Sequence, residues 1–179
     1  MPEQILLIRH AEKPIPDRVQ GVRRRGKLDE HSLSVRGWQR AGALIRFFQH
    51  PYVDGVRVPT HILSERFDRS APDDSRRTRQ TVTPLAQALG LKVEARLMKT
   101  QTDQAAERCH QLDGVVLIAW SHECIPTLAQ AIAPAAQIPK AWPGERFDVV
   151  WAFEPARGGW RFRQLPQQLL AGDLATGID

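Results

Sequence analysis

Apolar positions along the chain come in short bursts, and their spacing changes from burst to burst. Residues 4–8 (Gln4-Ile5-Leu6-Leu7-Ile8) form a nearly continuous apolar run, the pattern of a strand buried on both faces. Residues 11–33 are polar and carry Pro14, Pro16, Gly21 and Gly26, which predicts a long loop; loops longer than about 15 residues are uncommon in compact domains and often functional. Ser34 then caps a predicted helix running to Phe48, with Trp38, Ala41, Leu44, Ile45 and Phe48 at helical spacing. Residues 60–64 read as a second strand, and residues 75–89 as a helix ended by Gly90. Residues 91–95 predict a short peripheral strand, and Thr102 can cap a helix to Leu112. Asp113-Gly114 turns the chain into Val115-Val116-Leu117-Ile118-Ala119-Trp120, the clearest buried strand. A helix over 125–133, a loop marked by Pro134, Pro139 and Pro143, and a hairpin of 148–153 with 160–164 around Gly158-Gly159 complete the pattern.

Strands alternating with helices predict an α/β fold. The expected architecture is a three-layer α/β/α sandwich with a mostly parallel central sheet and a C-terminal hairpin. No repeat, low-complexity tract or linker divides the 179 residues, so a single domain over 1–179 is expected. In such sheets ligands sit beyond the carboxyl ends of the strands. Three strand ends therefore matter: Arg9-His10, Ser64-Glu65 and Ser121-His122.

Composition narrows the classes. Hydrophobic residues make up 42% and charged residues 25%, a globular profile, and no apolar run is long enough for a membrane span. Met1-Pro2-Glu3-Gln4 has no basic region of a signal peptide, and Cys109 and Cys124 fit neither a CxxC pattern nor a disulfide framework. A cytoplasmic setting is expected, with no membrane partner. The net charge of +5 and pI near 9.8 suit an anionic ligand. Between Arg18 and Arg40, seven Lys/Arg face two Asp/Glu; a run such as Arg23-Arg24-Arg25 reads first as a solvated loop. Folded over a site, the basic loop 18–27 would instead favour a substrate with more than one negative group.

Arg9-His10 and His122 directly follow strands, and Arg77 lies near the start of a helix after another. Taken alone, His10 reads as a structural histidine and Arg77 as one of several surface arginines. Their companions change this. Leu7-Ile8-Arg9-His10-Ala11-Glu12 resembles the Arg-His-Gly signature of the histidine phosphatase (phosphoglycerate mutase-like) superfamily. Leu33-Ser34-Val35-Arg36-Gly37-Trp38-Gln39-Arg40-Ala41 resembles its Leu-Thr/Ser-x-x-Gly-x-x-Gln-Ala segment. Arg77-Thr78-Arg79-Gln80-Thr81 resembles Arg-Ala-x-Gln-Thr, and Ser121-His122-Glu123 the late Ser/Gly-His pair. Four elements in the right order, across residues 5–126, are a specific signal.

The resemblance implies a phosphatase acting on a phosphomonoester, either a small molecule or a phosphoprotein, through a phosphohistidine on His10. Arg9, Arg77 and His122 would bind the phosphate oxygens with His10. No metal and no cofactor is expected, and His31, His50, His61 and His110 show no metal-ligand spacing. Glu123 is the expected general acid, with Glu12 and Asp68 as alternatives. Ala11 departs from the usual glycine and needs a backbone angle tolerable with a Cβ. The stretch from Ser64 to Arg77 exceeds the usual spacing, and Phe67, Asp68, Asp73 and Asp74 are expected in a loop at the mouth of the site. A mutase of the same family, or a catalytically silent basic module gripping a polyanion, are the competing readings. The tryptophans Trp38, Trp120, Trp142, Trp151 and Trp160 are expected in core or walls rather than in a base-stacking platform, so nucleic acid is not an expected partner.

Overall fold

The computed structural model describes residues 1–68, 70 and 75–179. Asp73 and Asp74 lie outside the described residues. The elements run β1 (Pro2–Arg9), α1 (Val35–Gln49), β2 (His61–Ser64), α2 (Arg77–Leu89), β3 (Val93–Glu94), α3 (Thr102–Gln111), β4 (Gly114–Trp120), α4 (Ile125–Ile132), β5 (Val149–Ala156) and β6 (Gly159–Pro166). One six-stranded sheet has the order β3-β2-β4-β1-β5-β6. β3, β2, β4 and β1 are parallel, whereas β5 runs antiparallel to β1 and pairs with β6 as a hairpin.

The continuous apolar runs are explained by burial on both faces. Ile5 and Leu7 of β1, Val116, Ile118 and Trp120 of β4, and Val149, Trp151 and Phe153 of β5 pack with α3 and α4. Their alternates, including Leu6, Ile8, Leu117, Ala119 and Val150, pack with Phe47, Phe48, Val82 and Leu85 of α1 and α2. The sequence signal for each strand is therefore hydrophobicity, with the period of 2 hidden inside it.

Element ends follow local chemistry. The Ser34 hydroxyl accepts from the Gly37 N–H at 3.1 Å and caps α1, as its sequence predicts. Gly90 ends α2 in the left-handed region at φ 69°. Two starts differ from expectation. α2 begins at Arg77 rather than Ser75, and Gln101, not Thr102, occupies the cap of α3, with neither cap residue making a side-chain capping bond. Residues 11–33 form the expected loop, pinned by isolated bridges Ile15–Val19, Gly21–Ser34 and Val22–Leu28. Among the described residues no helix is long and apolar enough to cross a membrane.

The turn after β1 is seated on the start of α1. The Ser34 N–H and Oγ both donate to the Glu12 carbonyl, each at 3.0 Å. Gly37 allows this approach, because a Cβ there would lie 2.4 Å from the same carbonyl oxygen. Beneath it lies a buried ion cluster. Arg40 donates to Glu12 Oε1 at 2.8 Å and to Asp173 Oδ1 at 2.6 Å, and Arg36 reaches Glu12 at 3.2 Å. Burial opposes the charge on Arg40, but its bonds to Asp173 and Glu12 outweigh burial and raise its pKa. Arg40 thus joins the β1–α1 turn to the C-terminal segment. Replacing Arg40 by Met leaves Asp173 buried without its cation and Glu12 with Arg36 alone. The expected loss of unfolding free energy is about 3–5 kcal/mol, read from urea titrations of both proteins.

Candidate active site

The topology opens a crevice at the carboxyl ends of β1 and β4. The chain leaves β1 for α1 on one face of the sheet and leaves β4 for α4 on the other, the arrangement that creates a binding crevice in open α/β sheets. Arg9 pairs in register with Trp120, so Arg9-His10 and Ser121-His122 emerge side by side.

His10 is 4% exposed. Its Nδ1 lies 2.7 Å from the Ala11 carbonyl oxygen. A carbonyl only accepts, so this contact assigns the proton to Nδ1 and leaves the lone pair on Nε2. Burial, then the positive charge of Arg9, push the His10 pKa well below 6.5; Arg77 and His122 push the same way, against the Ala11 hydrogen bond. The ring is a neutral imidazole with one fixed tautomer. Three of the expected partners are thus close enough to act on it electrostatically.

Arg9 is 2% exposed. One edge of its guanidinium is anchored: Nη1 donates to the carbonyls of Gly144 at 2.6 Å, Arg146 at 3.1 Å and Pro143 at 3.3 Å. Phe147 covers it, with the ring centroid 4.0 Å from Cζ, and the same ring lies 6.0 Å from that of His10. The opposite edge, Nε and Nη2, is buried and has no hydrogen-bond partner among the described residues. Burial lowers the Arg9 pKa to about 10, so the group stays charged at neutral pH. A buried, charged, unanswered fork is costly unless an anion completes it.

Arg77 opens α2, where Nη1 donates to the Glu30 carbonyl at 3.1 Å. The first turn of α2 carries no acidic side chain, so the positive end of the helix is left for a ligand to share. Thr81 ties this helix to the turn after His10: its Oγ1 accepts from the Ala11 N–H at 2.8 Å and donates to the Arg77 carbonyl at 2.7 Å. Gln80 grips the segment before α1, accepting from the Leu33 N–H and donating to Ser32 Oγ. Thr81 thus holds the turn after His10, and Gln80 holds the segment that leads into α1. Ala11 itself is fully buried beside Leu33 and Ala41, at a backbone angle outside the left-handed region, so its Cβ is accommodated.

His122 is partly buried; burial and Arg9 lower its pKa, with Lys13 adding to the effect and Glu123 opposing it. Its Nδ1 lies 3.7 Å from Glu123 Oε2. The three candidate acids separate by environment. Glu12 is held by Arg40 and Arg36, its carboxylate engaged in a buried ion cluster. Asp68 accepts from the Ser70 N–H and hydroxyl, turning its carboxylate toward its own loop. Glu123 is exposed at the rim, beside His122.

Two neighbours carried no role in the sequence reading. Glu65, at the end of β2, is 1% exposed and accepts from the Ser121 N–H at 3.0 Å and the Ser121 hydroxyl at 2.8 Å, fixing the turn that carries His122. Its strand-end position was the available signal. Phe147, in a proline-marked loop, gave none. Among the described residues no group of three His, Cys, Asp or Glu side chains is placed to hold a metal.

The sequence matches no protein-family model and no curated protein. Solved structures do match it. The protein histidine phosphatase SixA complexed with tungstate superposes with a TM-score of 0.58 at 12% identity, covering 92% of this chain and 97% of that one. A mutant phosphoserine phosphatase from Entamoeba histolytica in complex with phosphoserine gives 0.55 at 12% identity, covering 95% and 100%. The chain has the histidine phosphatase fold. The same enzyme from Entamoeba histolytica in complex with 3-phosphoglyceric acid gives 0.51 at 13% identity over 90% and 95%. Within this fold, His10 and His122 occupy the crevice edge where β1 and β4 end.

The His10 environment sets a pH dependence. The unfolded chain takes up this proton near 6.5, whereas the native chain does so only well below it. Below pH 6.5 the unfolded state therefore binds more protons, and native stability falls as the pH falls. Unfolding midpoints measured between pH 7 and pH 5 should decline in the parent protein, and less steeply in His10→Asn.

Proposed function

We propose that the chain, as one domain over residues 1–179, is a phosphatase that hydrolyses a phosphomonoester through a phosphohistidine on His10. One observation carries this reading: a neutral, single-tautomer histidine stands beside the buried fork of Arg9, whose Nε and Nη2 lack a partner among the described residues.

Attack by Nε2 needs no prior deprotonation, since the Ala11 carbonyl holds the ring proton on Nδ1. As the phosphorus–oxygen bond of the ester breaks, the His10 nitrogen–phosphorus bond forms and the equatorial oxygens gather charge. The free edge of Arg9, the guanidinium of Arg77 and the imidazole of His122 supply that charge's partners. Nδ1–H donation to Ala11 also steadies the ring as it becomes cationic. Water then attacks the phosphohistidine, the nitrogen–phosphorus bond breaks, and the proton that the water gives up restores the carboxyl group that acted as acid in the first step, releasing phosphate and free His10. The leaving oxygen takes a proton from Glu123, the one of the three candidate carboxylates set at the rim beside His122. The reaction draws on side chains alone in this reading, without metal or cofactor.

The substrate is a small phosphate ester or a phosphoprotein, and the neighbours above include proteins described as acting on either kind. The unpaired Cys109 and Cys124 suit a reducing cytoplasm.

Turnover of a generic aryl phosphate in EDTA is the primary test. It should proceed in the parent protein and fall on the order of a thousandfold or more in His10→Ala; activity surviving that substitution would remove His10 as phosphoryl acceptor. Glu123→Gln should lose about a hundredfold on an alkyl phosphate, the scale of a general acid, and little on an activated phenyl phosphate. Equal losses on both substrates would assign the acid elsewhere.

A further inference from the structure

We infer that Arg146 is a positioning residue for Arg9 and that the C-terminal segment, residues 173–178, is the strap that holds it in place. The inference rests on the phosphate-binding role proposed for Arg9.

Arg9 is oriented by main-chain atoms of one short loop, through the carbonyls of Pro143, Gly144 and Arg146. A loop can serve as an anchor only if it is itself fixed. The fixing falls to the Arg146 side chain, whose terminal nitrogens are all engaged. Its Nε donates to Asp148 Oδ1 at 2.8 Å, Nη1 to the Gly177 carbonyl at 2.9 Å, and Nη2 to the Thr176 carbonyl at 2.7 Å. The Arg146 carbonyl accepts from Trp142 Nε1 at 2.8 Å as well as from Arg9. One residue thus spends its side chain on the tail and its carbonyl on the phosphate-binding arginine.

The tail is held firmly enough to act as the far anchor. Asp148 Oδ2 accepts from the Leu174 N–H at 2.7 Å. Gln164 clamps Ile178 from both sides, its Oε1 accepting from the N–H and its Nε2 donating to the carbonyl, each at 2.7 Å. Ile178 is buried in the core beside Trp142 and Trp151. The tail is therefore packed at Ile178, bonded to Arg146 through Thr176 and Gly177 just before it, and tied to Asp148 at Leu174. A guanidinium matches this task because its planar fork reaches two carbonyls and a carboxylate at once, which an ammonium cannot do in one plane.

The test reads Arg9 directly and the oxyanion separately. Nitrogen-15 spectra of the arginine Nε–H groups, assigned by loss of a peak in Arg9→Lys, report hydrogen exchange at Arg9 in the protein without ligand. Tungstate titration by calorimetry reports the anion site. Arg146→Met should speed Arg9 Nε–H exchange several-fold. It should also weaken tungstate by about tenfold, the scale of one charge-assisted hydrogen bond losing its geometry. Arg146→Lys, which keeps a cation for Asp148 and loses the fork to the tail, should give the same shifts with less loss of stability. Arg108→Met, which breaks the Arg108–Glu94 pair between α3 and β3, serves as a destabilised control and should change neither readout. Unchanged Arg9 exchange in both Arg146 variants would overturn the inference, as would equal changes in Arg108→Met. A parent protein that binds no tungstate would count against the phosphatase reading, while the exchange measurement would still decide the role of Arg146.

Discussion

A guanidinium buried at a strand end can hold an anion only if one of its edges is already satisfied by the protein. In this chain that division is made at Arg9. Three carbonyls occupy Nη1, and Nε with Nη2 is left as a buried fork that has no hydrogen-bond partner among the described residues. Much of the surrounding architecture can be understood as support for this split. β1 delivers Arg9 to the carboxyl end of the sheet, the loop before β5 supplies the carbonyls that hold it, and the Phe147 ring stacks on it. The same burial that desolvates this fork keeps His10 neutral, so one desolvated environment acts on both side chains.

The fold was largely legible in the sequence because its signals are local. Buried strands announce themselves as apolar runs, Ser34 as a helix start and Gly90 as a helix end. Errors fell at helix starts where no side chain caps the first turn, as at Arg76 and Gln101, so that nothing in the residue types marks the boundary. The candidate site was legible where strand ends and motif order pointed, at Arg9, His10, Arg77 and His122. The reason those motifs travel together is tertiary. Ser34 and Thr81 grip the two residues after His10 from two separate parts of the chain, and Gly37 leaves room for the approach.

What the sequence hid were partners whose identity depends on packing. Glu12 looks like a candidate acid beside the nucleophile, and only the fold brings Arg40 beneath it. Glu65 looks like an ordinary strand-end carboxylate until Ser121 is seen to donate to it twice. The basic loop lies on the surface, with Arg18, Arg24, Arg25 and Lys27 exposed and only Arg23 drawn back to Asp29. Its cations add to the net charge of the chain without being part of the buried fork.

The contacts that orient Arg9 come from carbonyl oxygens, which every residue type possesses. Such an anchor constrains the path and length of the 143–147 loop far more than its spelling. Apart from Arg146 and Phe147, whose side chains hold the loop and cover Arg9, substitutions can accumulate there while the guanidinium keeps its aim. Divergent chains built on this plan would be expected to preserve the spacing between that loop and β5 after recognisable sequence has worn away.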